Sequence, residues 1–188
     1  MLTLKLKPRE ERRVRAGHLW IYSNEIDTGT DFRTLTPGSL CRVVDSRDKS
    51  LGIGYVNPRT LLAVRLLSDS ADASIDADWF LRRFAAALAL RERLYAEPYY
   101  RLVFGEADGV PGLVVDRYGE QFVVQITTAG MELLREPLLA ALQQLLAPRG
   151  ITLRNDTAAR ELEGLATQSE TIGEVPDAIE VIEDGLRY

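Results

Sequence analysis

Apolar and polar residues alternate with a period of two in several short segments of the first third of the chain, the pattern of strands with one buried face. Strands are predicted over residues 2–6, 40–45, 51–56 and 61–67. A short basic helix over 9–16 lies between the first two, with Gly17 placed as its C-terminal cap. Short, closely spaced strands with only one short helix predict a compact, mostly β domain, a small β-barrel or sandwich, over residues 1–70.

The periodicity changes after a polar linker at residues 68–76. From residue 79 to 97 apolar residues recur at helical spacing, so a linking helix is predicted there, capped by Asp76 or Asp78. A second helix is predicted within residues 131–146. Pro137 either lies in its first turn, with a start near Glu136, or kinks it.

Strand patterns surround the second helix. Strands are predicted over residues 99–104, 113–117, 121–127 and 151–154, with weaker ones at 171–175 and 178–183. The two weaker strands could pair across Pro176 and Asp177, and Asn155 or Asp156 could cap a short helix that runs to Glu163. Residues 76–188 therefore read as strand–strand–strand–helix–strand–strand. The fold class is α+β, with a β-barrel followed by a small α+β domain.

The chain has 188 residues, of which 46% are hydrophobic, as in an ordinary globular protein. No apolar run approaches the ~18–20 residues that a membrane helix needs, and the N-terminus lacks a signal peptide's apolar region. A cytoplasmic protein with no membrane partner is the default expectation. The chain ends at strand spacing on Leu186 and Tyr188, as a chain cut within a strand would.

Charge is distributed unevenly along the chain. The net charge is −5, but residues 1–67 contain 12 Lys/Arg and 7 Asp/Glu, which gives +5. Cations crowd the start of the chain, and Trp20 and Tyr22 follow them. Such an end suits phosphates and unpaired bases, although a solvated basic helix explains the charge equally well and Trp20 is better explained as core.

No catalytic or metal site is complete in this sequence. Cys41, the only cysteine, lies in an apolar stretch and is predicted to be a buried strand residue. His18 is the only histidine, and no acidic partner is placed beside it for a catalytic triad. Gly52 and Gly54 are interpreted as strand glycines, because no third glycine and no helix follow.

Two polar stretches could be structural or functional. The loop at residues 105–112 contains two acids and three glycines, and a structured turn with Asp108-Gly109 in left-handed geometry is favoured over an acidic metal site. Asp156 and Arg160 are four residues apart on the predicted short helix and could form an ion pair.

Five segments together resemble one known family. They are RAGHLWIYSNEI at 15–26, GYVNP at 54–58, RLLS at 65–68, GEADGVPGLVVDRYG at 105–119 and RND…RELEGL at 154–165. In this order they resemble the S-adenosylmethionine-dependent methyltransferases that make 5-methylcytosine in large-subunit ribosomal RNA. The resemblance covers the whole chain.

The resemblance implies a PUA domain, a small α+β domain and a Rossmann-like methyltransferase domain. The third would begin after Tyr188 and is absent from this sequence. It would bind S-adenosylmethionine and contain the cysteine that adds to carbon 6 of the base, a role that Cys41 does not match. No cofactor, catalytic residue or metal is therefore expected in this chain, which alone should be inactive.

Three hypotheses follow. The first is a module that binds ribosomal RNA, with phosphate contacts and His18 near the RNA, and with four residues facing an interdomain cleft. The second is a complete enzyme that uses Glu106 and Asp108, and the third is a homodimer formed through an exposed sheet edge. The predicted RNA contacts are Lys7, Arg9, Arg12, Arg13, Arg15 and His18, and the cleft candidates are Asp108, Asp116, Arg154 and Arg160.

Overall fold

The first third of the chain forms a closed five-stranded sheet. The computed structural model describes residues 1–29, 32–183 and 186–188. The strand order is β1-β3-β4-β5-β2, with β1 and β3 parallel and the other pairs antiparallel. A bridge between Leu6 and Ile26 joins the two edges, so the sheet closes as a barrel. The strands are β1 (Leu2–Lys5), β2 (Trp20–Tyr22), β3 (Leu40–Val44), β4 (Ser50–Val56) and β5 (Leu62–Ser68).

The predicted basic helix is shorter than the sequence suggested. It is α1 (Glu11–Arg15), because Arg9 has a φ of 77°, in the left-handed region that an α-helix does not use. Gly17 follows the helix with a φ of 94°, as expected of a C-terminal glycine.

Both faces of the central strand β4 are buried, since the barrel has a second layer packed on its outside. Val56 points with Cys41 into the barrel core, whereas Ile53 and Tyr55 belong to the core of the second layer. Gly52 has a φ of 127°, and a side chain there would meet the backbone oxygen of Ser68 on β5.

The second layer is a five-stranded sheet with helices on one face. Its order is β10-β9-β8-β7-β6, and only β8 and β9 are parallel. Helix α2 (Ala77–Leu94) packs against α4, and α3 and α4 connect β8 to β9. The remaining bounds are β6 (Tyr99–Phe104), β7 (Leu113–Tyr118), β8 (Gln121–Ile126), α3 (Ala129–Leu133), α4 (Arg135–Leu146), β9 (Gly150–Asn155), α5 (Ala158–Leu162) and β10 (Gln168–Gly173).

The α+β fold class is confirmed. Asp76 caps α2 as predicted, because its Oδ1 accepts a hydrogen bond from the Trp79 backbone N–H at 3.0 Å. The helix ends at Leu94, three residues earlier than the sequence predicted. Pro137 lies in the first turn of α4, and α3 is a separate short helix capped by Thr128.

Two predictions for the end of the chain are wrong. Strand β10 pairs with β9, and β11 (Ile182–Glu183) pairs with β12 (Leu186–Arg187), so no hairpin forms across Pro176 and Asp177. The polar, exposed residues of β10 gave no alternating pattern to read. Asn155 does not cap α5, because its Oδ1 accepts a hydrogen bond from the Ile126 backbone at 2.8 Å.

The two five-stranded sheets of the described residues are largely antiparallel and the two-stranded sheet β11-β12 is antiparallel, so the doubly wound parallel sheet of a Rossmann-like domain is not found within them. Over those same residues, no helix combines the length and hydropathy of a membrane span. The boundary between domains at residues 70–76 stays a prediction, because Ile53, Tyr55 and Leu67 of the barrel share a core with the second layer.

Candidate nucleic-acid interface

The five cations predicted to contact phosphate, Lys7, Arg9, Arg12, Arg13 and Arg15, are called the basic segment here. Two of them form ion pairs with carboxylates of the barrel. Arg13 Nη1 lies 2.8 Å from the buried Glu25, and Arg15 Nη2 lies 2.7 Å from Asp45. Burial of Asp45 opposes its ionisation, but backbone N–H groups and Arg15 outweigh this effect, so its pKa is below the ordinary value. These two arginines also stabilise the barrel.

The other cations of the basic segment form no ion pair with any residue that the structure describes. Arg9 and Arg12 are exposed, and their side chains have no hydrogen-bonding partner in the part of the chain that the structure describes. Lys7 Nζ donates to the backbone oxygen of Asn24 at 2.6 Å. His18 is exposed just beyond α1. Two full positive charges are therefore available for a ligand.

An open groove of about 780 Å³ adjoins the basic segment at Lys7. Arg33 and Arg59 line it and are both exposed. The sequence pattern did not predict these two arginines, since Arg33 lies singly in a short 3₁₀ helix and Arg59 singly in a turn. This basic groove is also lined by Ser23, Asn24, Ile26, Asp27, Thr28, Phe32, Pro58, Thr60 and Leu61.

The acidic loop is a structured turn. Residues Gly105–Asp108 form a 3₁₀ turn that Gly109 ends with a φ of 70°. Both carboxylate oxygens of Asp108 lie 2.7 Å from the Arg91 guanidinium, and both side chains are largely buried. Within the described ranges no group of three His, Cys, Asp or Glu residues could hold a metal ion. Both carboxylate oxygens of Asp108 thus have hydrogen-bond donors within the second layer.

Glu106, the other acid of this loop, reaches the barrel. Its Oε1 accepts a hydrogen bond from Trp20 Nε1 at 2.7 Å. The prediction that Trp20 is a core residue is wrong, since 39% of it is exposed. Trp20 lies on the edge strand β2 with its side chain on the face opposite Ile21, which fills the barrel core.

A buried polar cluster joins the two layers. Glu163 receives hydrogen bonds from Arg65 at 2.9 Å and Asn57 at 2.7 Å, both on the barrel, and from the Ala129 backbone at 3.3 Å. We call Asn57, Arg65 and Glu163 the interlayer cluster. The partners are about a hundred residues apart in sequence, so no local pattern could have shown them.

The other three cleft candidates are not gathered in one place. Arg160 is 2% exposed and donates to Ile126 O at 2.6 Å and to Glu132 Oε2 at 2.7 Å. The suggested Asp156–Arg160 pair is wrong, because burial directs Arg160 inward and Asp156 instead lies 3.5 Å from the exposed Arg154. Asp116 pairs with Arg101 on the uncovered face of the second sheet.

The described residues do not fit S-adenosylmethionine. A cofactor cradle needs glycines that leave space at a strand end. Gly52 and Gly54 lie on β4, which pairs antiparallel with β5, and the backbone of β5 fills the space beside both glycines. Gly130, which follows β8, faces the Tyr55 ring. Cys41 is no nucleophile either, because burial raises the pKa of its thiol to about 12 despite a hydrogen bond with the Gly54 backbone.

Comparison with known proteins agrees with this architecture. Residues 4–69 match the PUA-like domain family. The chain is 36% identical to ribosomal RNA large subunit methyltransferase I of Tolumonas auensis and 35% identical to that of Escherichia coli strain SMS-3-5. The alignments cover 97% and 96% of this chain and 46% of each relative. By sequence, the chain matches the N-terminal part of these methyltransferases. It spans about half the length of these relatives.

Solved structures show the same fold. A proposed SAM-dependent methyltransferase from Streptococcus mutans superposes with a TM-score of 0.80 at 19% identity, over 100% of this chain and 48% of that one. A methyltransferase structure complexed with SAH gives the same score and identity over 47% of its chain. The PUA-like barrel and the second sheet thus recur together in longer chains.

Proposed function

We propose that this chain is the RNA-binding N-terminal part of an S-adenosylmethionine-dependent methyltransferase that makes 5-methylcytosine in large-subunit ribosomal RNA in the cytoplasm. The similarity to large-subunit methyltransferases, which extends over nearly all of this chain, supports the substrate class. The choice of carbon 5 of cytosine rests on the family resemblance of the motifs. Cofactor binding and catalysis are assigned to a further domain, because the described residues offer neither a cradle nor a nucleophile.

The observation that carries the proposal is the pair of uncompensated arginines in the basic segment, whose Lys7 lines the basic groove. Arg9 and Arg12 hold exposed charges while their neighbours on α1 are already paired. Lys7, Arg33 and Arg59 continue the positive surface. Phosphate contacts made by such side chains release counterions, so binding should weaken steeply with salt.

The test is RNA binding by this chain and by an Arg9→Ala/Arg12→Ala variant. Fluorescence anisotropy with a labelled ribosomal RNA fragment would give the affinity at several salt concentrations. Each lost phosphate contact should lower the slope of log K against log salt by about 0.7 to 0.9. The variant should therefore bind more weakly, with a slope reduced by about 1.5 for two contacts.

Arg82→Ala/Arg93→Ala is the matched control, because it removes two exposed arginines from α2 in the second layer. It should retain the affinity and slope of the parent chain. If the two double variants behave alike, the basic segment is not the RNA site.

The alternative of a complete enzyme has a direct test as well. Calorimetric titration of this chain with S-adenosylmethionine should show no binding. Saturable binding would overturn the assignment of the cofactor to another domain. A homodimer stays a prediction, and mass measured against concentration would decide it.

A further inference from the structure

One tryptophan side chain lies where the barrel meets the second layer, and its indole N–H is hydrogen-bonded to that layer. Trp20 donates its indole N–H to Glu106, and more than a third of the residue remains exposed. Of the other aromatic side chains of the barrel, Phe32 and Tyr55 are buried and Tyr22 is half-buried. An exposed indole that is fixed by its N–H offers a flat apolar surface on which an unpaired base can stack.

A hollow of about 270 Å³ opens beside this ring. Its walls are Gly17, His18, Leu19, Trp20 and Glu106. His18 follows the turn that ends α1, so the hollow lies directly after the basic segment along the chain. A strand of RNA whose phosphates meet Arg12 can therefore present a base here.

Glu106 gives the hollow a chemical preference. Its Oε1 is occupied by Trp20, whereas Oε2 has no hydrogen-bonding partner among the residues that the structure describes. A free carboxylate oxygen accepts N–H groups and repels carbonyl oxygens. It therefore favours a base with an exocyclic amino group, such as cytosine, over uracil, which has a carbonyl at the same position.

We propose that Trp20, Glu106 and His18 form a site for one unpaired, amino-bearing nucleobase, which stacks on Trp20 and donates its amino group to Glu106. The site rests on the proposed RNA-binding function and adds to it a preference for single-stranded RNA. The base must be unpaired because pairing would occupy the same amino group and hide its face in a helical stack.

Tryptophan fluorescence can detect the base directly. The chain has two tryptophans, and Trp79 is 4% exposed in the core. A Trp79→Phe variant leaves Trp20 as the sole reporter. Oligocytidine of about eight nucleotides should quench it with the same midpoint that anisotropy gives. Oligouridine should bind more weakly, and a duplex should not quench Trp20.

Two substitutions separate the ring from its hydrogen bond. Trp20→Phe and Trp20→Leu both lose the N–H donated to Glu106, but only phenylalanine keeps an aromatic face. Leucine should weaken oligocytidine binding roughly 5- to 150-fold, and phenylalanine much less. Glu106→Gln keeps a carbonyl oxygen for Trp20 and should abolish the preference for cytidine over uridine.

The outcomes distinguish this site from the proposed function. If the Trp79→Phe chain binds RNA with a salt slope that depends on Arg9 and Arg12, but Trp20 is not quenched and Trp20→Leu binds equally well, the base site is wrong and the RNA-binding function stands. If Glu106→Gln retains the full preference for cytidine, the role of Glu106 is wrong. Absence of all RNA binding by the parent chain would overturn both proposals.

Discussion

The second layer and the basic segment use arginine in opposite ways. Arg160, below the second sheet, is 2% exposed and donates to two backbone oxygens and the Glu132 carboxylate. Arg12, on α1, is exposed with no side-chain partner in the described chain. A buried charge must be fully compensated by protein, whereas an exposed one is solvated and can exchange water for a ligand. Compensation by protein acceptors, and not burial alone, therefore separates structural arginines from those available to RNA, since the exposed Arg15 is already paired with Asp45.

The largest expected effect is on stability, at Arg160. Arg160→Leu should lower the free energy of unfolding by about 3–5 kcal/mol, because it leaves Glu132 and two backbone oxygens without their donor. Urea unfolding measures the change. Arg154→Leu, four residues away from α5 on the exposed side of β9, should change stability by less than about 0.5 kcal/mol. Equal losses in both variants would contradict the comparison.

The interlayer cluster should show an intermediate effect. Glu163→Gln keeps the shape and one carbonyl oxygen but leaves the mostly buried Arg65 without a counter-charge. The free energy of unfolding should fall by about 2–3 kcal/mol. Glu161→Gln on the exposed face of α5 is the control and should be near neutral. A near-neutral Glu163→Gln would show that the cluster does not hold the layers together.

Cys41 makes stability depend on pH at the alkaline end. Its folded pKa of about 12 is raised above the ordinary value of 9.0, so its contribution is complete below pH 9 and is lost as pH rises towards 12. When the pH is raised from about 8 to about 10.5, ionisation of this thiol should lower the free energy of unfolding by about 2 kcal/mol. Urea unfolding of the parent and of Cys41→Ala at both pH values isolates the effect.

At pH 8 the Cys41→Ala variant should have a lower free energy of unfolding than the parent chain, because the substitution leaves a cavity. On going to alkaline pH, its free energy of unfolding should fall by less than that of the parent chain. Tyr55, whose pKa burial also raises, contributes equally in both chains. Parallel pH profiles for the two chains would contradict the assignment of this loss to the thiol.

Local periodicity predicted the elements but not the contacts between layers. Four of the five barrel strands, α2 with its Asp76 cap and the loop turn at Gly109 follow from alternation, spacing and turn chemistry, whereas the three-residue strand β2 was not predicted. Strand β10 was placed wrongly because an exposed polar edge strand has no hydrophobic face to alternate. Trp20 was misread because composition cannot tell which face of an edge strand meets a second layer.

The candidate site shows the same division. Charge crowding located the basic segment, but only the structure shows that Glu25 and Asp45 compensate Arg13 and Arg15. Arg59 lies singly in a turn that lines the groove and carried no local signal. Partners distant in sequence decide which charges remain open, and one sequence without its fold does not contain those distances.

The smallest expected effect is at the open arginines themselves. Arg9→Ala/Arg12→Ala should change the free energy of unfolding by less than about 0.5 kcal/mol, because exposed side chains without partners lose little when truncated. The same variant should lose RNA affinity, so urea unfolding and anisotropy on one sample separate the two roles. Arg15→Ala should instead lower the free energy of unfolding, since it leaves the buried Asp45 without its cation. A stability loss in the double variant as large as that of Arg15→Ala would mean that these arginines are structural after all, and pairing with carboxylates would no longer separate the two classes.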